Sequence, residues 1–236
     1  ANDPLVYSIP AHRSFADALA VGLIDALGRD PQALARGRIL LPNNRAVRTL
    51  TEAFVRASNG GLVLPRLIAI GDPDIGERIG GALDPLELAD DIPPAIDPLQ
   101  RQLLLARLLR ADGESAAEAM RLAAELARTM DALAVAEVPS SRLSEAVGEA
   151  SELAGHWHPS IERFQAVLDR WPKLLAERGL IDLAGRRSRL LHALAERWES
   201  QTPDGFTVAA GITTSAPAIA ALVGRGAEHA CRPVPA

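Results

Sequence analysis

Residues 37–58 read GRILLPNNRAVRTLTEAFVRAS, and the change of rhythm inside them sets the fold class. The run RILL predicts a buried strand of about four or five residues. Pro42 cannot donate to a sheet ladder, and two asparagines follow it, so the strand closes there. From Arg45 the spacing turns helical, with Val47, Leu50, Phe54 and Val55 on one face and arginines elsewhere. The NGG at 59–61 is expected to stop the helix, because glycine readily takes the left-handed conformation of a helix cap. LVLPRLIAIGD (62–72) then predicts one or two more short strands.

The same alternation occurs at both ends of the chain. PLVYSIPAHRSFADALAVGLIDAL (4–27) predicts a strand from Leu5 to Ile9, a tight loop and a helix from about Ser14. DGFTVAAGITTSAPAIAALV (204–223) predicts a strand from Phe206 to Ala210, a Gly/Thr/Ser loop and a helix starting near Pro217. Strands alternating with helices imply a parallel sheet. The segment between is of another kind. GDPDIGERIGGALDPLELADDIPPAIDP (71–98) reads as an acidic connector with one short helix. At 97–111 Asp97 stands at an N-cap and Pro98 at the first helical position. Ser115 with Glu118 three residues on is a capping box, opening an Ala-rich helix through 138. Further helices are expected at 140–150, 152–179 and 182–200, with Pro159 and Pro172 bending or interrupting the second of these. The expected fold class is therefore α/β, a parallel sheet with flanking helices and an inserted all-α subdomain. The boundaries read as 1–96, the insertion 97–203, the return 204–224 and an irregular tail 225–236.

Composition narrows the function classes. A chain of 236 residues with 48% hydrophobic and 23% charged residues has ample core for a globular fold. Cys231 is the one cysteine, so neither a disulfide framework nor a Cys-rich zinc site can form within the chain. No apolar run is long enough to span a bilayer, and a cytoplasmic setting without membrane contact is expected. The net charge of −5 hides local fields. Six arginines stand against Glu52 alone between residues 36 and 66, whereas eight carboxylates stand against Arg78 between 71 and 99. These runs read either as solvated faces or as fields that steer a charged partner.

Four constellations invite chemistry. A phosphate loop needs glycines to free backbone N–H groups, a lysine for the outer phosphates and Ser/Thr for magnesium. IPAHRSF (9–15) has neither glycine nor lysine, and the chain's one lysine, Lys173, lies in the insertion, so ATP hydrolysis by that route is not expected. In HWH (156–158) two histidines at this spacing point apart on a helix, and Trp157 reads as core; no metal is expected. GDPD (71–74) ends a strand and reads as a turn before it reads as an ion site. In LLPNNRAVRTL, Asn43 and Asn44 occupy a loop at a strand's carboxyl end, and Arg45 and Arg48 the next helical turn. Ligands bind at that edge of an open α/β sheet, and these side chains bond phosphate oxygens well. Thr213, Thr214 and Ser215 sit at another strand end and could line the same groove. The other reading is that the asparagines make the turn and cap the helix while the arginines pair with acids.

VYSIPAHRSFADALAVGL, GRILLPNNRAVRTLTEAFV, LPRLIAIGDPD, IPPAIDPLQRQLLLARLL, LDRWPKLLAERGLIDLAGRRSRLL and VAAGITTSAPAIAAL, in this order, resemble the N-terminal region of the AddB family. AddB is a subunit of the AddAB helicase–nuclease of bacterial double-strand-break repair, and the likeness is to its alphaproteobacterial branch, over residues 5–223. The resemblance implies a superfamily I helicase core whose phosphate loop has decayed, with a helical insertion, an AddA-type partner and single-stranded DNA as ligand. By carry-over, Asn43, Asn44, Arg45 and Arg48 become the first candidates for strand contact, and Thr213, Thr214 and Ser215 the second. Similar subunits carry a C-terminal nuclease domain with an iron–sulfur cluster; no cofactor and no catalytic residue is expected in this chain. After Val223 the sequence GRGAEHACRPVPA leaves the family pattern, which predicts a truncated or frame-shifted gene. The reading is thus a non-catalytic, DNA-binding helicase-like domain. The alternatives are a helical interaction scaffold without DNA binding and a nucleotide-using enzyme with an unusual loop.

Overall fold

The computed structural model describes residues 6–27, 31–58, 60–71, 91–110, 115–139, 142, 158–201, 203–214 and 216–228. The chain packs as two units, one formed by Ala1–Leu88 with Leu190–Ala236 and the other by Ala89–Arg189. In chain order the elements are α1 (Phe15–Leu27), α2 (Pro31–Arg36), β1 (Arg38–Leu41), α3 (Asn44–Ala57), β2 (Arg66–Ala69), α4 (Pro98–Arg110), α5 (Ala116–Ala136), α6 (His158–Ala176), α7 (Leu183–Ser200), β3 (Thr207–Ala209) and α8 (Pro217–Glu228). The protein is mostly helical, with a small parallel sheet and flanking helices.

The sheet has the order β2-β1-β3. Arg38 to Leu41 pair in register with Arg66 to Ala69 on one side, and Arg38 to Leu40 with Thr207 to Ala209 on the other. With a neighbour on each side, all four residues of β1 are buried, Ile39 to Leu41 as the continuous apolar run expected in a parallel sheet and Arg38 with them. Alternation sends Ile39 and Leu41 to one face, where Leu67 and Val208 join Ala20 of α1 and Leu50, Ala53 and Phe54 of α3. Burying each such leucine or phenylalanine contributes about 1.5–3 kcal/mol. Arg38 and its register partner Thr207 face the other way. There the Arg38 guanidinium lies 5.7 Å from the ring centroid of Trp198 in α7, and Gly226 of α8 sits beside Trp198 and Thr207. The last turns of α7 together with α8 thus cover the face opposite α1 and α3.

Several local expectations change. Residues 6–10 form no strand, and Val6 and Tyr7 are 89% and 82% exposed. A run of strand-forming residues gains stability from the neighbour that pairs with it, and these have none among the described residues. A single strand, β2, forms from 62–72. Val55 is 65% exposed, and Ala53 occupies the buried stripe of α3 in its place. That helix ends on Ser58 in a right-handed conformation, with Ser58 Oγ donating to Val55 O at 3.0 Å and to Gly60 O at 2.9 Å. Neither Gly60 nor Gly61 has positive φ. Pro172 is exposed and α6 runs through it without a break. The last helix continues past Val223 to Glu228. The GDPD aspartates, most of the acidic connector, the helix expected at 140–150 apart from Arg142, and His156 and Trp157 lie outside the described residues.

In the second unit both N-caps form, while Glu118, the far half of the expected capping box, accepts from Arg121. Asp97 Oδ1 accepts from Leu99 N at 2.9 Å and Gln100 N at 3.0 Å, and Ser115 Oγ from Glu118 N at 3.2 Å. Its core joins Leu105, Leu109, Ala123, Leu126, Trp171 and Leu175. A charged node is embedded in it. Arg101 Nη2 lies 2.9 Å from Asp131 Oδ1, Arg101 Nε lies 2.8 Å from Asp182 Oδ1, and Trp171 Nε1 donates to Asp182 Oδ2 at 2.7 Å. Burial pushes the Asp182 carboxyl up, against the opposing pull of Arg101 and Trp171.

Candidate nucleic-acid interface

All strands of the sheet are parallel, so the loops that leave β1, β2 and β3 open on the same edge. From β1 the chain passes to α3 on one face; from the neighbouring β3 it passes to α8 on the opposite face. Adjacent parallel strands whose following helices diverge form a topological switch point, with a crevice at their carboxyl ends. The strand spacing of about 5 Å sets the distance between its two walls at the base. On the third side the edge is closed: a Cβ at Gly71 would overlap the carbonyl oxygen of Pro42, so the loops leaving β1 and β2 touch.

One wall is the turn into α3. Asn43 is the N-cap, in extended backbone with φ −162°, and its Oδ1 accepts from Ala46 N at 2.9 Å. Asn43 O accepts from Val47 N at 3.2 Å. The capping reading therefore describes Asn43, whose side-chain oxygen serves the helix. Asn44 is the first helical residue and is exposed. Arg45 and Arg48 follow, both exposed, and among the described residues neither makes a hydrogen bond or an ion pair. The first turn of α3 carries no acid. Arg45, the second helical residue, is a cation at the positive end of the helix dipole and opposes it by about 0.3–1 kcal/mol, whereas Arg48, the fifth, stands one turn further in.

The other wall is the loop after β3. Gly211 is left-handed at φ +65°, turning the chain toward Thr213 and Thr214, both exposed. Thr214 Oγ1 accepts from Ala216 N at 3.2 Å, which caps the start of α8. Ser215 lies outside the described residues. The structure thus brings the loops of Asn43 to Arg48 and of Gly211 to Thr214 to neighbouring strand ends.

The N-terminal loop is built differently from a phosphate loop. Arg13 N donates to Pro10 O at 3.0 Å, closing a turn, and Ala18 N donates to Ser14 O at 3.0 Å. Hydrogen bonds from Ser14 and then Arg56 hold the Asp17 carboxyl below its ordinary value. Ser14 is therefore occupied in starting α1, and Phe15 lies against Gly211. The Arg13 side chain is exposed and without a partner among the described residues, a further cation that the sequence pattern presents only as part of a phosphate loop.

Among the described residues no group of three or more His, Cys, Asp or Glu could hold a metal, and no helix is long and apolar enough to cross a membrane. No family model, no curated protein and no solved structure matches the chain.

Proposed function

We propose that this chain is a non-catalytic, helicase-like part of a double-strand-break repair helicase–nuclease subunit, which holds the backbone of single-stranded DNA at the switch-point crevice. The observation that carries the reading is the pair Arg45 and Arg48. Both are exposed and their side chains have no partner among the described residues, and Arg45, in the first turn of α3, stands where a positive charge opposes the helix dipole. A sequence that accepts such a local cost has a use for those charges elsewhere. Arginine at a helix N-terminus beside amide and hydroxyl groups suits phosphate oxygens. The AddA-type partner and the decayed P-loop ancestry rest on the sequence resemblance alone. Aromatics are only 3% of the chain, so base stacking would contribute little.

Fluorescence anisotropy of labelled single-stranded DNA, at low and moderate salt, tests this. The native chain is expected to bind in a salt-sensitive way. Arg45→Ala/Arg48→Ala is expected to abolish binding, or to flatten the salt slope by about 0.7 per lost phosphate contact. Equal binding by chain and variant, or none at low salt, would overturn the reading. One observation favours a second reading, a helical docking scaffold. Leu99 and Leu103, four residues apart on α4, are 62% and 52% exposed. On that reading Leu99→Ser/Leu103→Ser abolishes partner capture while the arginine variant leaves it unchanged.

A further inference from the structure

We propose that Phe15 is a stacking platform for one base of the bound strand, at the mouth of the crevice where the loop after β3 begins. The inference rests on the strand-binding reading above and adds to it a contact with a base. Scarce aromatics keep stacking a minor part of the binding, and one ring can supply that part. Among the described residues most aromatic rings serve the cores. Phe54, Trp171 and Trp198 are buried, and Phe164 and Phe206 pack against the two clusters. The exposed ones are Tyr7 and Phe15.

Phe15 opens α1 and is 47% exposed, although the helix itself packs on the face of Ile39 and Leu41. A Cβ built on Gly211 would stand 3.8 Å from Phe15 Cε1 and 3.9 Å from its Cζ, so the far edge of the ring rests on the loop just past β3. The φ of +65° at Gly211 favours glycine, which brings no side chain over the ring. Groups that suit phosphate stand close by in the chain on both sides of this contact. Two residues before Phe15, the Arg13 side chain is exposed and unpartnered among the described residues. Two residues past Gly211, Thr213 is exposed and its hydroxyl has no partner among them. A nucleotide needs this combination at short range, a flat apolar surface for the base and a cation or hydroxyl for the phosphate. The ring lies at the carboxyl edge of the sheet, the same edge as the turn of Asn43 to Arg48. A backbone held at that turn can therefore direct one base toward it. Every base has a π face, so the contact is tolerant of sequence.

Fluorescence anisotropy of the full chain with two probes of equal length, an oligothymidylate and a strand built entirely of abasic sites, tests the proposal. Phe15→Leu keeps an apolar side chain against Gly211 and removes the aromatic face. It is expected to weaken oligothymidylate binding by about fivefold or more, with the salt slope unchanged because no phosphate contact is lost. Binding of the abasic strand should match the native chain, which also reports that the variant is folded. Phe15→Trp should bind oligothymidylate at least as tightly as the native chain. Equal oligothymidylate binding by the native chain and Phe15→Leu would overturn the platform and leave the strand-binding reading standing. An equal loss on both probes would also overturn it, assigning Phe15 to the fold. No binding of either probe by the native chain would overturn the platform together with the reading beneath it.

Discussion

Two arginines, one in each unit, are treated in opposite ways. Arg101 is buried in the helical unit, with a carboxylate on either side and Trp171 fixing one of them. Arg45, at the sheet edge of the other unit, is exposed and has no partner among the described residues. The first is held because a buried cation without counter-charges is costly; the second is kept at a position where its charge opposes the helix. Arginine placement therefore separates a residue that maintains a core from one that faces a ligand.

The largest expected effect tests the structural side of that contrast. Arg101→Ala leaves Asp182 without its main counter-charge inside the helical core, and should lower the unfolding free energy by about 3–5 kcal/mol. Chemical denaturation measures it, and a loss below about 1 kcal/mol would erase the contrast with the sheet edge. Asn43→Ala comes next: it removes the bond to Ala46 N and should cost about 0.5–2 kcal/mol, seen as a lower denaturation midpoint. Arg45→Ala/Arg48→Ala, the variant that tests DNA binding, should by contrast leave stability unchanged or raise it by up to about 1 kcal/mol, through Arg45 in the first helical turn. A marked loss there would assign those arginines to the fold.

The smallest effect is in pH. Asp17 is held below its ordinary value of 3.8 by Ser14 and Arg56, so its ionised form is favoured by the fold. That contribution is fully present above pH 3.8 and is lost as pH falls through the lowered, folded value. Asp17→Asn should therefore differ from the native chain in thermal midpoint at neutral pH, and the two should converge in acid. A gap that persists in acid would point to packing instead of charge.

The parts of the fold legible in the sequence were those decided within a few residues. Asp97 and Ser115 cap the helices that they announce, and Pro42 ends β1 where a missing donor must. Features decided by distant neighbours were not legible. The Val6 to Ile9 run reads as a strand by composition, yet strand formation depends on which edge is free. Val55 fits the helical stripe of α3, but Ala53 meets the sheet. The exchange of Asn43's side chain between ligand and cap could be posed from sequence and decided only by its bond to Ala46. A shared groove could be posed from the two strand ends, but only the pairing of β3 beside β1 brings its walls together, and no local signal announces that pairing.

That adjacency also dictates an order of events during synthesis. The bond from Arg38 to Asp204 O joins residues 166 positions apart. After β2 leaves the ribosome, the chain up to β3 takes on the order of ten seconds to appear, at about 5–20 residues per second. Throughout that interval one edge of the apolar strand β1 has no permanent neighbour. A nascent chain in this state is a natural client for a chaperone, and a ribosome stalled anywhere in the helical unit would release a sheet whose crevice had never formed.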